Sequence, residues 1–447
     1  MKRLFYLNFR FFYVIQHRIT RRLTKSGLLA VSLIIASAVI GLDTNQTLAY
    51  QSFSFFSCLL VISGIWTCFF RGKFAVSRIL PRFGTAGESL VYRLVVENLS
   101  LKIQKGLYLF EEMEDPRPSF EEFADTPEPD EDRRNLFDQA VGFYRWQWLI
   151  YRKQGQEAKA WAIPAIPLMA SSQVNIEIKP SARGYLRFTG ITVARPDPLG
   201  LMYAFVRIPA PQSLLVLPKR YDLPQIHLPG TRRYNSGGVS LTSSVGDSEE
   251  FVSLRDYRPG DSLRKIHWKS WAKTGKPVVK EYQDEFFVRH ALVLDTFQQA
   301  AYSEVFEEAV SVAASFACSV RTQDSLLDLI FAGPEAYCFT SGRGLFHTDK
   351  ILEILASVRV CKDRPFDVLS QAVIGRAEIL SGCICIFLSW DETRKSFIRE
   401  LRLLGVPVLV LVITEPRTDV SPETISDIPD NVRLLETGRI REGLALL

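Results

Sequence analysis

A chain of 447 residues has room for two or three domains, each with its own core. Its 47% hydrophobic and 23% charged content is that of a folded protein carrying some membrane-embedded length, and it excludes a wholly disordered chain. The net charge of +5 is a local effect: Lys2, Arg3, Arg10, Arg18, Arg21, Arg22 and Lys25 supply seven cations with no acid among the first 25 residues. Setting those seven aside leaves 47 of the 54 basic residues against 49 acidic ones. The excess is therefore a membrane-topology signal and a weak argument for nucleic acid.

Residues 4–15, LFYLNFRFFYVI, are aromatic-rich and broken by Arg10. Such a segment suits the lipid interface, or simply leads into the first span. Two uncharged apolar runs follow, and we expect a two-helix transmembrane hairpin with spans over about 27–45 and 52–70. Each is near the minimum of about 17 to 20 residues that a helix needs to cross a bilayer. A cleaved signal peptide is the rival, but its long basic lead and the second apolar run speak against it. Basic residues precede the first span, and Arg71, Lys73, Arg78 and Arg82 follow the second, whereas the connecting loop offers only Asp43. The positive-inside rule then places both ends, and the bulk of the chain, in the cytoplasm of a multi-pass inner-membrane protein.

From Phe74 to about Arg220 the pattern changes to short β runs. Leu90, Tyr92, Leu94 and Val96 alternate with their neighbours at a period of two, and Asn98-Leu99-Ser100 supplies a turn. Runs at 174–178, 185–188 and 191–193 are bounded by Gly or Pro. The expectation is an immunoglobulin-like β-sandwich over 74–220, with an irregular barrel as the alternative. Between Glu111 and Asp132 stand eleven acids against Arg117 alone, with four prolines. That composition reads as a solvated acidic insertion over about 111–135, or as a docking site for a basic partner. The aromatics Phe143, Tyr144, Trp146, Trp148 and Tyr151 that follow read as core or interface.

The stretch from Gly246 to Glu285 is the most informative. Pro259-Gly260 suits the centre of a type II turn, and Asp261 stands as the N-cap of a short helix. Leu263, Ile266, His267, Ser270 and Trp271 share a face of that helix, and Gly275 stops it. A strand resumes at Pro277-Val278-Val279. The run Arg255-Asp256-Tyr257-Arg258-Pro259-Gly260-Asp261, then Ile266-His267-Trp268, Ala272 and Val279-Lys280-Glu281, resembles the signature of the bacterial family known as "domain of unknown function 58". Arg183-Gly184-Tyr185 and Asp197-Pro198-Leu199-Gly200 also resemble landmarks of that family. The resemblance implies a layout of membrane hairpin, β-rich segment, signature over 221–285 and a von Willebrand A-like α/β domain over 286–447. It further implies work beside a MoxR-type AAA+ ATPase.

From Arg289 onward apolar strands at 290–294, 326–331, 383–388 and 406–413 alternate with helices at 305–320, 349–359 and 393–404. This is the pattern of a mostly parallel sheet covered on both faces, a Rossmann-like α/β domain. The resemblance implies that an ion site would start with Asp-x-Ser-x-Ser after the first strand. The corresponding residues are Asp295, Thr296, Phe297, Gln298 and Gln299, so Phe297 and Gln299 fill both serine positions. Asp391 is left as the third-loop carboxylate, and residues 362–366 hold no threonine. Two carboxylates are too few for a hard cation, and the site is expected to be degenerate, with Asp295 and Asp391 structural and no cofactor.

Other chemistry finds little footing. The chain has no GxxxxGK[ST], GxSxG or HExxH, and its seven cysteines include no CxxC pair, which suits buried thiols in a reducing compartment. Eight cations and two tryptophans in the signature invite an anionic-lipid or nucleic-acid reading, but Asp256, Asp261 and Glu281 lie among them. Arg255 to Asp261, His267, Trp268, Lys280 and Glu281 are therefore expected to hold a loop in shape or dock a partner, with nucleic acid last. The function expected is a non-enzymatic membrane scaffold with no small-molecule substrate. An enzyme with its site around His267, Arg255 and Asp256 is the alternative.

Overall fold

The computed structural model describes residues 2–41, 47–129, 131–154, 160–224, 250–259, 261, 263, 266–283, 288–300, 302–319, 325–333, 335–341, 345–416 and 431–447. The chain forms two compact units. One is Met1–Lys219 with two short returns; the other is the remainder from Arg220.

The first unit opens with three helices, α1 (Lys2–Arg22), α2 (Lys25–Ile40) and α3 (Thr47–Thr67). Within α3, Leu48–Thr67 is long and apolar enough to cross a membrane, while α2 is a shorter apolar helix packed against it. The second run thus begins about five residues earlier than its apolar stretch suggests, because uncharged Thr47 to Gln51 continue the helix. Beyond them lie β1 (Phe74–Ile79), β2 (Phe83–Thr85), β3 (Leu90–Asn98) and β4 (Leu107–Met113). The helices α4 (Phe120–Asp125), α5 (Leu136–Val141) and α6 (Phe143–Gln154) come next, then β5 (Trp161–Ile163), β6 (Ser171–Ile178), β7 (Gly184–Pro196) and β8 (Tyr203–Leu217).

The strands make a three-stranded antiparallel sheet, β1-β3-β6, and a five-stranded sheet, β2-β8-β7-β4-β5. One apolar cluster draws on both, with Tyr92, Leu94 and Val96 from β3 beside Leu107, Leu109, Phe188, Ile191 and Val193 from the larger sheet. The alternation read at 90–96 follows from this, since Leu94 and Val96 are fully buried. Inside the same core Arg78 pairs with Glu111 at 2.8 Å and Tyr92 donates to Glu111 at 2.6 Å. The guanidinium also lies 4.4 Å from the centre of the Phe188 ring, so every charge in this core has a partner.

The acidic insertion is folded, which corrects its reading as a solvated loop. Glu111 and Glu112 belong to β4, and the prolines and acids beyond lead into α4. Phe123 on α4 is 1% exposed and packs with Trp146 of α6 and with Tyr6 and Phe9 of α1. The Tyr6 hydroxyl donates to the Pro118 carbonyl at 3.0 Å, and Arg145 donates to buried Glu131 at 2.8 Å. Phe123 alone of the insertion's phenylalanines is fully buried, and it is the aromatic face of α1, more than 100 residues upstream, that completes its cluster. Gly142 is required there: its φ is +71°, and an added Cβ would sit 2.9 Å from the Phe123 ring.

The second unit carries a two-stranded antiparallel ladder of β9 (Glu250–Asp256) and β10 (Val278–Gln283), joined through α7 (Trp268–Thr274). It continues with β11 (Val288–Leu294), α8 (Glu304–Ser319), β12 (Ser325–Ala332), β13 (Ala336–Ser341), α9 (Leu345–Ser357) and α10 (Asp367–Ile374). Last come β14 (Gly382–Phe387), α11 (Glu392–Leu403), β15 (Val408–Thr414), β16 (Val432–Glu436) and α12 (Ile440–Ala445). Six strands make one sheet in the order β13-β12-β11-β14-β15-β16, parallel throughout except for β13 at its edge. Helix α8 covers one face; α10 and α11 cover the other, over Ala291, Val293, Cys383, Cys385, Val408 and Val410. With both faces buried, the central strands carry apolar runs such as Ala291–Leu294, Cys383–Phe387 and Val408–Ile413, which is why they read as continuous.

Candidate functional site

Three arrangements position the residues singled out by sequence. The first is the signature itself. Arg255 at the end of β9 forms a two-pronged pair with Asp261, at 2.7 and 2.8 Å, and Asp261 also accepts the Arg258 N–H at 2.8 Å. The Asp261 N–H donates back to the Arg258 carbonyl at 3.0 Å, closing a turn over Pro259. These bonds hold the Asp261 carboxyl down at about 2, chiefly through the Arg255 guanidinium. Asp261 is thus the lock of a turn; α7 begins seven residues later, at Trp268, and Ser262 and Arg264, whose N–H groups an N-cap at Asp261 would meet, lie outside the described residues. Tyr257 joins the ladder by donating its N–H to the Pro277 carbonyl at 3.0 Å. Asp256 pairs with Val278 and Lys280 with Leu254 in the β9–β10 register, and Asp256 is solvent-exposed. Glu281 pairs with Ser253, while its side chain and Gly260 lie outside the described residues.

Ile266 is buried and bridges Val279, so it anchors the loop onto β10 outside any helix. His267 donates its N–H to the Val278 carbonyl at 2.9 Å, and its Nδ1 lies 2.6 Å from the Ser270 hydroxyl. Trp268 stacks on Trp271 with ring centres 5.2 Å apart, yet it remains 64% exposed and is no core residue. Leu263, expected on the inner face of a helix, is exposed as well. Gly275 does stop α7, in the left-handed conformation at φ +70°.

The second arrangement lies where the strand order of the large sheet reverses, between β11 and β14. Ligands of open α/β sheets gather at that crevice, beyond the carboxyl ends of the strands. Asp295 follows β11 and is fully buried. Its carboxylate accepts the N–H groups of Phe297 at 3.0 Å and Leu388 at 3.2 Å, and pairs with Arg394 at 2.7 Å. Burial pushes the Asp295 carboxyl up, against the pull of Arg394 and the two amides. Asp391 caps the N-terminus of α11 by accepting the Arg394 N–H at 3.0 Å, and its other oxygen pairs with the Arg394 guanidinium.

One guanidinium therefore stands between the two carboxylates proposed for an ion site. It lies 4.9 Å from the centre of the Phe366 ring, and Phe366 packs on Phe297, Phe387 and Phe397. Phe297 turns inward to this cluster and Gln299 outward to solvent. Thr296 gives its hydroxyl to the Ala332 carbonyl at 2.6 Å. Among the described residues no three His, Cys, Asp or Glu side chains converge as metal ligands. Sequence reasoning missed Arg394; its signal was a charged residue on the apolar stripe of a helix, in register with Phe397, Ile398 and Leu401.

The third is a seat for the N-terminal helices. Asp197 accepts the N–H groups of Leu199 at 3.0 Å, Leu201 at 2.7 Å and Met202 at 2.7 Å, fixing the Asp197-Pro198-Leu199-Gly200 turn between β7 and β8. The junction of α1 and α2 docks there. Leu23 bridges Met202, the Thr24 N–H donates to the Leu201 carbonyl at 3.0 Å, and Gly27 lets α2 pass against the same carbonyl.

The match to a family model falls on the second unit. A family described as "Protein of unknown function DUF58" matches residues 253–373, from β9 through α10. The "Uncharacterized protein YeaD" of Bacillus subtilis (strain 168) is 26% identical over 231 residues, 51% of this chain and 55% of that one. The match thus spans about half the length of this relative. Among solved structures, the CARDB domain of the PF1109 protein from Pyrococcus furiosus is 11% identical with a TM-score of 0.19, over 33% of this chain and 89% of that one. A beta-glucosidase from Listeria innocua is 12% identical with a TM-score of 0.17, over 32% of this chain and 16% of that one. Likenesses this slight bear on neither fold nor function. The family match over residues 253–373, which hold the signature ladder and the sheet as far as α10, and the Bacillus subtilis relative together support membership of the DUF58 family.

Proposed function

We propose that the chain is a non-enzymatic, membrane-anchored scaffold that works with a MoxR-type AAA+ ATPase in the assembly or maturation of other proteins. In this reading α2 and α3 form a transmembrane hairpin with the rest of the chain in the cytoplasm. The two sheets of the first unit act as an immunoglobulin-like sandwich, and the six-stranded sheet of the second unit is a von Willebrand A-type platform. Support for the hairpin comes from the packing of α2 on α3 and the membrane-spanning length of Leu48–Thr67. Support for the platform comes from the strand order, which reverses between β11 and β14 and ends in an antiparallel edge strand.

The observation that carries the non-enzymatic reading is the filled crevice. At the position where such sheets hold ligands, Arg394 bridges Asp295 and Asp391, and the Phe366 ring lies against its guanidinium. A partner would then supply ATP hydrolysis. The test is recovery of a MoxR-type ATPase with the detergent-extracted full chain from cells expressing both. Recovery that is lost when the signature turn is broken by Arg255→Ala supports the proposal; repeated absence of the ATPase overturns it.

One observation favours an enzyme instead: the 2.6 Å contact between His267 Nδ1 and the Ser270 hydroxyl, beside Arg255 and Asp256 in the signature. A fluorophosphonate probe that labels the chain, and fails to label a Ser270→Ala variant, would decide for that reading.

A further inference from the structure

Helix α1 has two apolar faces on opposite sides. Tyr6, Phe9 and Tyr13 lie on one, and they enter the cluster with Phe123 and Trp146. Leu4, Leu7, Phe11, Phe12, Ile15 and Ile19 lie on the other, at spacings of three and four, and each is 38–64% exposed. A soluble helix that already buries one face has no reason to carry a second apolar stripe. Contiguous exposed stripes of this kind mark a surface that something covers.

Three features of the structure say what covers it. Besides Arg21, which pairs with Glu112 at 2.6 Å, the helix carries Lys2, Arg3, Arg10, Arg18 and Arg22 and no acid, so the occupant bears negative charge over an extended surface. Only Leu23 and Thr24 separate α1 from α2, an apolar helix packed against the membrane-length α3, so the stripe runs on into surface that lipid would already cover. A 21-residue helix is about 31 Å long, but six cations rule it out as a span and suit it to the interface.

We infer that α1 lies in the plane of an anionic lipid surface. Its outer stripe enters the acyl boundary while its inner face grips α4 and α6. The helix is then a strut that holds the folded acidic insertion against the membrane, with Tyr6 bound to Pro118 as its clasp. This inference rests on the membrane anchorage proposed above, and not on the partner ATPase.

The test uses the full chain in vesicles of phosphatidylethanolamine and phosphatidylglycerol, with an environment-sensitive fluorescent amino acid at Phe11, at Ile15 or, as the aqueous reference, at Leu101, which is 83% exposed. The expected result is quenching at positions 11 and 15 by lipids carrying a nitroxide near the headgroup, several-fold stronger than at 101, with iodide showing the reverse order. Iodide quenching at 11 and 15 equal to that at 101 overturns the inference. Protection from both quenchers, with crosslinking between two copies, overturns it in favour of self-association. A carbonate wash separates the two levels. Chain that washes off the vesicles defeats the anchorage itself, while chain that stays bound with aqueous probes defeats only the placement of α1.

Discussion

Arg394 on α11 lies 2.7 Å from the carboxylate of Asp295, a residue with no exposed surface at the carboxyl end of β11. A buried pair of this kind adds little net stability, but removing one member strands the other charge in a low dielectric at a cost of about 3–5 kcal/mol. Arg394→Met should therefore lower the urea midpoint of the second unit's unfolding by an amount equivalent to that range. The double variant Asp295→Asn with Arg394→Met, which removes both charges, should recover most of it. Equal loss in single and double variants would show that the pair is not coupled.

The lock of the signature turn should titrate. The Arg255 guanidinium and the Arg258 amide hold the Asp261 carboxyl at about 2, below the 3.8 of an unperturbed aspartate. A depressed carboxylate contributes stability that is whole above about pH 4 and is lost as the pH falls toward 2. The reporter is the Arg258 amide, 2.8 Å from Asp261. Its hydrogen-exchange protection, corrected for intrinsic rate, should hold from pH 7 to 4 and fall below. Asp261→Asn should lack the protection at every pH; unchanged protection in that variant would remove Asp261 from its role.

What sequence could and could not supply divides along sequence separation. The period-two run in β3 and the apolar runs within β11, β14 and β15 announced themselves, because each buries a face or both in a regular element. Asp261 was visible as a polar residue at a turn, but its pairing with Arg255 across the turn was not, because no local pattern ties the two. The acidic insertion misled for a different reason. Its composition argued against a core, and the core came from Tyr6 and Phe9, far upstream. Arg394 was legible in principle, as a cation in register with Phe397 and Leu401, yet it needs Asp295 from 99 residues earlier to make sense.

His290, the third residue of β11, has 6% of its surface exposed, and its Nδ1 has no hydrogen-bond partner among the described residues. Burial lowers its pKa below the ordinary 6.5. The unfolded chain then binds the extra proton, so stability is whole above about pH 6.5 and declines as the pH falls below it. His290→Gln keeps a side-chain donor and cannot titrate. Thermal midpoints measured from pH 7.5 to 5 should fall less steeply in that variant than in the wild type; parallel curves would show that His290 takes no part in acid sensitivity.

Asp197 holds the turn on which the junction of α1 and α2 sits. Replacing it by alanine leaves three backbone N–H groups without their acceptor, a loss on the order of 2–3 kcal/mol. The first unit should lose thermal stability accordingly, and Asp197→Asn, which keeps one acceptor oxygen, should lose less. Proteolytic nicking near residues 23 and 24 should increase in step, since Thr24 is fastened to Leu201 of the same turn.

Gly27 sets the approach of α2 to that turn. A Cβ built on it would lie 2.0 Å from the Leu201 carbonyl oxygen, which is backbone and cannot swing aside. In a free helix Gly→Ala would be worth about 1 kcal/mol in favour of alanine. Here the contact reverses the sign, and an overpacked site of this kind costs about 1–3 kcal/mol. Gly27→Ala should destabilise the detergent-solubilised chain, and so should Gly27→Ser. Gly64 on α3 provides the control, because an added Cβ there meets only the Met202 sulfur, at 3.9 Å. If Gly27→Ala were as stable as Gly64→Ala, or more so, α2 would not be seated on the Leu201 carbonyl.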